Sequence, residues 1–184
     1  AISRHLASFC KQVTLLSMIG EKNENLNEIK RGLPKNVKLE VLKKKNSPTI
    51  IKKRYIDKIS LSKMLGVYSI NDDLISKIQE KELLFKIKNI INKYDMIVVA
   101  DYGHGFITSQ AAKLITKTKK FVALNAQINS ANIGYKTMEN YKNLDFVVIN
   151  QREIQHELRD RHSKVEELMI KLSKKLNIKN LVVT

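Results

Sequence analysis

Apolar runs and helical repeats alternate along the chain, and their order predicts its fold. Short unbroken apolar runs are typical of strands in a parallel sheet. The predicted strands are 13–19, 37–42, 96–100, 121–124, 145–149 and 180–184. Between them, apolar residues recur at three- or four-residue spacing, as on one face of a helix. The predicted helices are 2–9, 24–31, 73–93, 109–117, 135–141, 151–159 and 164–176. This alternation predicts an α/β fold with a layered, mostly parallel sheet flanked by helices.

Two features of this pattern make sharper predictions. The run at 96–100 is the most apolar, so we expect it in the middle of the sheet, buried on both faces. Polar residues that precede the helices are candidate N-caps: Asp72 or Asp73 for the helix at 73–93, and Thr108 for the helix at 109–117.

The segment at about 37–70 contains a pair of strands that differ from the rest. Residues 49–57 and 63–70 both favour extended structure, and a short polar connector joins them. This pattern predicts a small antiparallel β lid that projects from the main sheet. Three interpretations stay open: the lid closes over a ligand, it pairs with a second subunit, or it is part of the fold alone.

Composition limits the class of protein. A chain of 184 residues is long enough for one well-packed domain. It has no apolar run long enough to span a bilayer, so we expect no membrane insertion. Cys10 is the single cysteine and has no partner within the chain for a disulfide, which favours a reducing, cytoplasmic location.

The net charge of +16 raises the question of an anionic partner. The lysines are spread over the whole chain together with abundant Asn and Ile, which indicates a bias in residue usage. The densest clusters, 43–45 and 52–54, have no interleaved aromatic residues on which bases would stack. We therefore do not expect nucleic-acid binding, although affinity that falls steeply with salt would reveal it.

The strand at 96–100 ends in Asp101-Tyr102-Gly103-His104-Gly105, an acidic residue followed by a glycine-rich turn. Ligands of open α/β sheets bind beyond the carboxyl ends of the strands, and glycine lets the backbone turn tightly or approach a ligand closely. Asp101 and Gly103 are therefore candidate site residues. The alternative is an ordinary strand-to-helix turn. The histidine between the glycines has no acidic partner nearby in sequence, so we assign it no catalytic role.

Two groups of polar residues follow the next strands. Asn150 and Glu153 come directly after the strand at 145–149, where they either form a capping box or order a metal ion and phosphates at the helix start. Gln127 and Asn129 follow the strand at 121–124, where their amides suit sugar hydroxyls or form local turns in a solvated loop. No phosphate-binding P-loop and no nucleophile elbow is present.

Taken in order, several segments resemble the ribokinase-like (PfkB) carbohydrate kinases. The chain looks most like the branch that phosphorylates D-glycero-D-manno-heptose 7-phosphate at its anomeric carbon in ADP-heptose synthesis. The similar segments are the opening helix at 3–9, VTLLSMIGE at 13–21, the lid strands at 49–55 and 63–72, VVADYGHGFIT at 98–108, ALNAQINSANIGY at 123–135, and the N-x-x-E motif of Asn150 and Glu153.

The resemblance implies a mechanism and a set of site residues. It implies a kinase that transfers the γ-phosphoryl group of ATP to a phosphorylated sugar, with Mg²⁺ as cofactor. Asn150, Glu153, Asp101 and Gly103 would lie at the nucleotide, with Glu153 also at the metal. Sugar binding is expected to involve Gln127 and Asn129, together with the basic lid residues Lys53 and Arg54. A homodimer formed through the lid strands is the expected assembly.

The sequence also departs from the family pattern. His104 replaces the lysine that is usual in the family's glycine-rich turn. The chain begins after the family's first glycine pair and stops before its G-A-G-D anion hole, whose aspartate is the general base. We therefore interpret 1–184 as a partial kinase domain whose base lies beyond Thr184, and we expect it to be inactive alone. The alternative function is a non-catalytic binding or dimerisation module with the same fold.

Overall fold

A computed structural model of the chain describes residues 1–127 and 138–184, which divide into two compact units, 1–73 and 74–184. The first unit contains α1 (Ile2–Ala7), β1 (Val13–Gly20), α2 (Leu26–Arg31), β2 (Val37–Lys44), β3 (Ile51–Ile56) and β4 (Lys63–Ser69). The second contains α3 (Lys77–Ile91), β5 (Met96–Asp101), α4 (Ser109–Thr116), β6 (Phe121–Ala126), β7 (Leu144–Ile149), α5 (Gln151–Leu158), α6 (Val165–Leu176) and β8 (Ile178–Val183). Among the described helices, none is both long and apolar enough to cross a bilayer.

In the first unit, β1 and β2 pair in parallel, in register from Val13 with Val37 to Gly20 with Lys44. Gly20 lies where β1 meets the segment that enters the hairpin, and its N–H donates to Thr49 Oγ1 at 3.0 Å. A Cβ at Gly20 would lie 2.2 Å from the Thr49 backbone nitrogen. The backbones pass so closely that only glycine fits there.

The predicted lid is an antiparallel hairpin of β3 and β4, with Ile51 opposite Ser69 and an irregularity between Tyr55 and Ile56. The segment that follows β4 is bonded to Lys44, a buried residue at the end of β2. The Lys44 ammonium group donates to the main-chain oxygens of Asn71, at 2.7 Å, and of Asp73. Burial lowers the pKa of the Lys44 ammonium group. These bonds offset part of the cost of burying the charge.

The second unit is built on a four-stranded parallel sheet in the order β5-β6-β7-β8. Its core is formed by apolar side chains from the strands and from the inner faces of the helices. Among the most deeply buried are Leu83, Val122, Leu124, Leu144, Val147, Ile149, Ile154, Leu168 and Leu172. This parallel sheet flanked by helices confirms the predicted fold class.

Three local predictions differ from the structure. Within the second unit, β5 is the first strand in the order rather than a middle strand, because an apolar run does not specify its neighbours. Helix α3 is capped by Ser76 in a capping box with Gln79, so the prediction of an aspartate cap was wrong. The helix at 135–141 falls partly outside the described residues, and its described part, 138–141, contains a turn. The Thr108 cap of α4 is confirmed, since its side chain accepts from the Ala111 N–H at 3.2 Å.

Candidate functional site

The carboxyl edge of the four-stranded sheet brings several predicted site residues to one side of the second unit. Asp101 ends β5, Gln127 follows β6 and Asn150 follows β7. The strands are parallel and Asp101 pairs with Ala126, so all three residues lie at the same edge. Two strand spacings separate β5 from β7, or about 10 Å. This is the edge at which ligands of open α/β sheets bind.

Asp101 is buried at this edge, and hydrogen bonds from three other residues hold it there. Its Oδ1 accepts from the Gly103 N–H at 3.1 Å, and its Oδ2 accepts from the Tyr141 hydroxyl at 2.7 Å. Its main-chain oxygen accepts from the Gln127 N–H at 2.8 Å. Burial and the neighbouring Asp101 carboxylate raise the pKa of Tyr141, so its hydroxyl remains a donor at all physiological pH values. Asp101 thus links the end of β5 to the turn after it and to Tyr141.

The glycines of the turn after β5 are required by its backbone conformation. Gly103 and Gly105 have φ values of 73° and 76°, in the left-handed region. The Gly105 carbonyl accepts from the Ile75 N–H at 3.2 Å, which connects the turn to the segment before α3. For other residues this conformation costs about 1–2 kcal/mol. The conformation of this turn at the sheet edge therefore depends on glycine at both positions.

Asn150 and Glu153 form the capping box of α5. The Asn150 N–H donates to Glu153 Oε2 at 2.8 Å, and Asn150 Oδ1 accepts from the Arg152 N–H at 2.9 Å. The Asn150 amide nitrogen also donates to the main-chain oxygen of Thr184, at the end of β8, at 3.1 Å. The structural interpretation of this pair is therefore correct. It does not compete with a ligand role, because the same bonds hold both side chains at the exposed start of a helix on the carboxyl edge.

The groups at this helix start are of types that also occur in phosphate and metal sites. The positive end of the helix dipole favours phosphate groups. Magnesium in nucleotide sites keeps several waters and takes one or two carboxylates together with phosphate oxygens, so Glu153 and a bound triphosphate form a suitable donor set. Among residues 1–127 and 138–184, no three His, Cys, Asp or Glu side chains cluster as metal ligands.

The other predicted site residues are distributed differently. Gln127 has an exposed side chain next to Asp101, and Asn129 lies outside the described residues. Lys53 and Arg54 are exposed on β3, opposite Val67 and Gly66 of β4. They belong to the first unit, whereas Asp101, Asn150 and Glu153 belong to the second.

Sequence analysis missed two side chains that organise this edge. Tyr141 is 40 positions from Asp101, and it was assigned to a helix rather than to a site. Asn125, on β6, donates to the Val148 main-chain oxygen of β7 at 3.1 Å. A polar residue near the end of an otherwise apolar strand is a usable signal for Asn125. No local signal marks Tyr141, because its partner is distant in sequence.

Comparison with known proteins bears on the fold of the chain. No protein-family model matches the chain. It is 23% identical over 186 residues to the bifunctional protein HldE of a Nitratiruptor species, an alignment that covers 100% of this chain and 38% of that protein. The tetrameric inhibited form of phosphofructokinase-2 from Escherichia coli superposes with a TM-score of 0.68 at 13% identity, over 99% of this chain and 59% of the other. Arabidopsis thaliana ribokinase complexed with ribose and ATP superposes with a TM-score of 0.57 at 15% identity, over 94% and 55%.

The chain has a ribokinase-like fold. At these identities, the structural matches establish the fold alone. The chain spans 38% of the length of its HldE relative and 59% of the phosphofructokinase-2 chain.

Proposed function

We propose that the chain is part of a sugar kinase that transfers the γ-phosphoryl group of ATP to a phosphorylated sugar, with heptose 7-phosphate phosphorylated at its anomeric carbon. One observation carries this proposal. Asn150 and Glu153 stand at a helix start on the carboxyl edge of a ribokinase-like sheet, the same edge as Asp101. The similarity to HldE supports the choice of sugar.

The candidate residues at the carboxyl edge bind the nucleotide or support the residues that do. Asn150 and Glu153 hold the nucleotide phosphates at the start of α5, and Asp101 keeps the turn at Gly103 in shape beside them. When bound with ATP, Mg²⁺ neutralises charge that develops on the transferring group. No described residue is assigned as the general base. The 184-residue chain by itself is therefore expected to lack kinase activity.

We assign binding of the sugar's phosphate group to basic residues of the hairpin. Lys53 and Arg54 are exposed cationic side chains on β3, and neither forms an ion pair with any described acidic residue. We assign them to the phosphate of the sugar substrate. Gln127 and Asn129 are assigned to sugar hydroxyl groups. Replacement of both basic residues by Gln is expected to weaken sugar phosphate binding and to leave nucleotide binding unchanged.

Calorimetric titration of ATP, with and without Mg²⁺, tests the nucleotide site. In Glu153→Gln, the amide still accepts from the Asn150 N–H, so the cap is kept and only the charge is lost. We expect this variant to lose Mg²⁺-dependent ATP binding with its stability unchanged, and Glu153→Ala to lose about 1 kcal/mol of stability as well. Glu167→Gln is the matched control, because Glu167 is an exposed acidic residue in the first turn of α6.

Two results would contradict the nucleotide site. One is a wild-type chain that binds no ATP in the presence of Mg²⁺. The other is Glu153→Gln binding that equals the binding of the Glu167→Gln control, since the carboxylate would then be a helix cap alone.

A second candidate function, a dimerisation module, is favoured by the surface of the hairpin. Tyr55, Leu65 and Val67 lie on one face of it, beside Lys53, and are 54%, 56% and 47% exposed. A two-stranded hairpin with an uncovered apolar face is marginally stable by itself, and such patches mark interaction sites. We infer that a second copy of the chain covers this face. Such a dimer would also cover Lys53, so this function competes with the assignment of Lys53 to the sugar phosphate.

Light scattering coupled to size-exclusion chromatography tests the dimer. Val67→Lys places a charge in the apolar face and is expected to give a monomer. Ile170→Lys is the control, because Ile170 is 57% exposed on α6, a helix of the second unit. A wild-type monomer, or equal effects of the two substitutions, would exclude the hairpin as the interface. A stable dimer that ignores ATP would favour the module over the kinase.

A further inference from the structure

A basic cleft lies at the amino-terminal edge of the four-stranded sheet, opposite the edge that carries Asn150. It is formed by the end of α4, the loop at 117–120 before β6, the turn at 139–143 before β7 and the start of β8. Its volume is about 610 Å³. Pockets of this size accommodate small molecules rather than whole macromolecular surfaces.

The cleft has a large excess of positive charge. Among the described residues, its lining includes Lys113, Lys117, Lys119, Lys120, Lys142 and Lys179, but the acidic lining is limited to Glu139 and Asp145. Both acids are already paired. Asp145 binds Lys179 at 2.7 Å, and Glu139 binds Lys175, which is outside the lining, at 2.9 Å. These lysines lower the pKa of both carboxyl groups.

Five lysines of the lining therefore form no ion pair with any acidic residue in the described part of the chain. Helix stability accounts for two of them, because Lys113 and Lys117 lie at the carboxyl end of α4, where cations are favourable. Lys119, Lys120 and Lys142 lie on loops beyond that helix. Their positive charges face the same cleft and would attract an anion bound there.

The composition of the lining indicates the class of anion. Lysine ammonium groups bind phosphate as point charges, without the bidentate geometry of arginine. The remaining lining includes hydroxyl and amide groups, such as those of Thr118 and Asn140, that suit phosphate oxygens. The described lining has no aromatic residue on which a base would stack. We propose that this cleft binds a small anion that carries several phosphate groups.

Calorimetric titration of inorganic triphosphate into the 184-residue chain tests the site. The test variant replaces Lys117, Lys119 and Lys120 together by Gln. The matched control replaces Lys81, Lys88 and Lys93 by Gln; these exposed residues on or just after α3 change the net charge equally. Each ammonium–phosphate pair at about 4 Å in water is worth roughly fivefold in affinity, so we expect the test variant to lose at least about tenfold. The control is expected to bind as the wild type does.

Any of four results would overturn the proposal. The first is a wild-type chain that does not bind triphosphate. The second is an equal loss of affinity in the two triple variants, which would show an effect of net charge alone. The third is binding of oligothymidylate that triphosphate does not displace, which would indicate a nucleic-acid surface. Glu153→Gln is expected to leave triphosphate binding at this edge unchanged. Triphosphate binding that depends on Glu153 and not on the loop lysines would place the anion at the opposite edge instead.

Discussion

Replacing Tyr141 by Phe removes one hydroxyl from the bond that holds Asp101 at the sheet edge. The hydroxyl donates to Asp101 Oδ2 at 2.7 Å, and both residues are buried, at 1% and 3% exposure. The phenylalanine ring keeps the packing of the tyrosine ring, so the perturbation is confined to the hydrogen bond. Asp101 retains its bond from the Gly103 N–H.

The expected loss of stability follows from the charge of the acceptor. A hydrogen bond to a charged group contributes about 1.5–3 kcal/mol when one partner is removed. We therefore expect Tyr141→Phe to cost roughly 2 kcal/mol, which for a chain of this size lowers Tm by roughly 4–8 °C. Tyr55→Phe is the control, since Tyr55 is 54% exposed, and we expect it to change stability by no more than about 0.5 kcal/mol.

Urea unfolding followed by circular dichroism measures the free energy of unfolding of the three proteins. Because the chain has two units, hydrogen exchange resolved by peptide adds a separate measure for β5 and the turn after it. Exchange in that segment should become faster in Tyr141→Phe and stay unchanged in Tyr55→Phe. A Tyr141→Phe protein as stable as the Tyr55→Phe control would refute the claim that this bond holds the edge together.

The pH dependence gives a second check on the same bond. The pKa of Tyr141 is raised in the folded chain, so its contribution to stability is complete below the ordinary tyrosine pKa and is lost as pH rises above it. The stability gap between the wild type and Tyr141→Phe should therefore narrow above about pH 10. A stability gap that widens above about pH 10 would contradict a raised pKa for Tyr141 in the folded chain.

Three further substitutions test other parts of the chain. Gly103→Ala should destabilise the turn after β5 by about 1–2 kcal/mol, measured by urea unfolding, because its φ is 73°; an unchanged midpoint would contradict this. Gly20→Ala should cost about 1–3 kcal/mol or prevent folding, since its Cβ would overlap the backbone at Thr49, and a soluble protein with wild-type Tm would disprove the close approach. In Glu157→Gln, the side chain still accepts from the Met138 N–H, but the carboxyl group whose pKa burial raises is gone. The protonated carboxyl group stabilises the folded wild type at low pH, and this stabilisation is lost as pH rises above about 4.5. The free energy of unfolding of Glu157→Gln should therefore increase relative to that of the wild type toward neutral pH. A constant difference between the two free energies over this pH range would contradict the raised pKa of Glu157.

Much of the fold was predictable from the sequence because its signals are local. Apolar runs located β1, β5 and β7, and the spacing of apolar residues located the helices to within a few positions. The Thr108 cap and the capping box at Asn150 depend on residues three or four positions apart, so they were visible in the sequence as well. Because the sequence predicts strands that alternate with helices, the parallel arrangement of β5, β6 and β7 and the shared edge of Asp101 and Asn150 also followed.

Contacts between distant segments were not predictable, because they depend on the order of the strands in the sheet. Only the tertiary structure shows that Tyr141 binds Asp101, 40 positions away, and that Asn150 binds the end of β8. The same holds for the basic cleft. In the sequence its lysines are part of a general excess of lysine, and they face one cavity only because parallel strands bring the loops before β6, β7 and β8 to the same edge. The sequence by itself determined the elements and their alternation; strand order decided which side chains meet, because it sets which distant segments become neighbours.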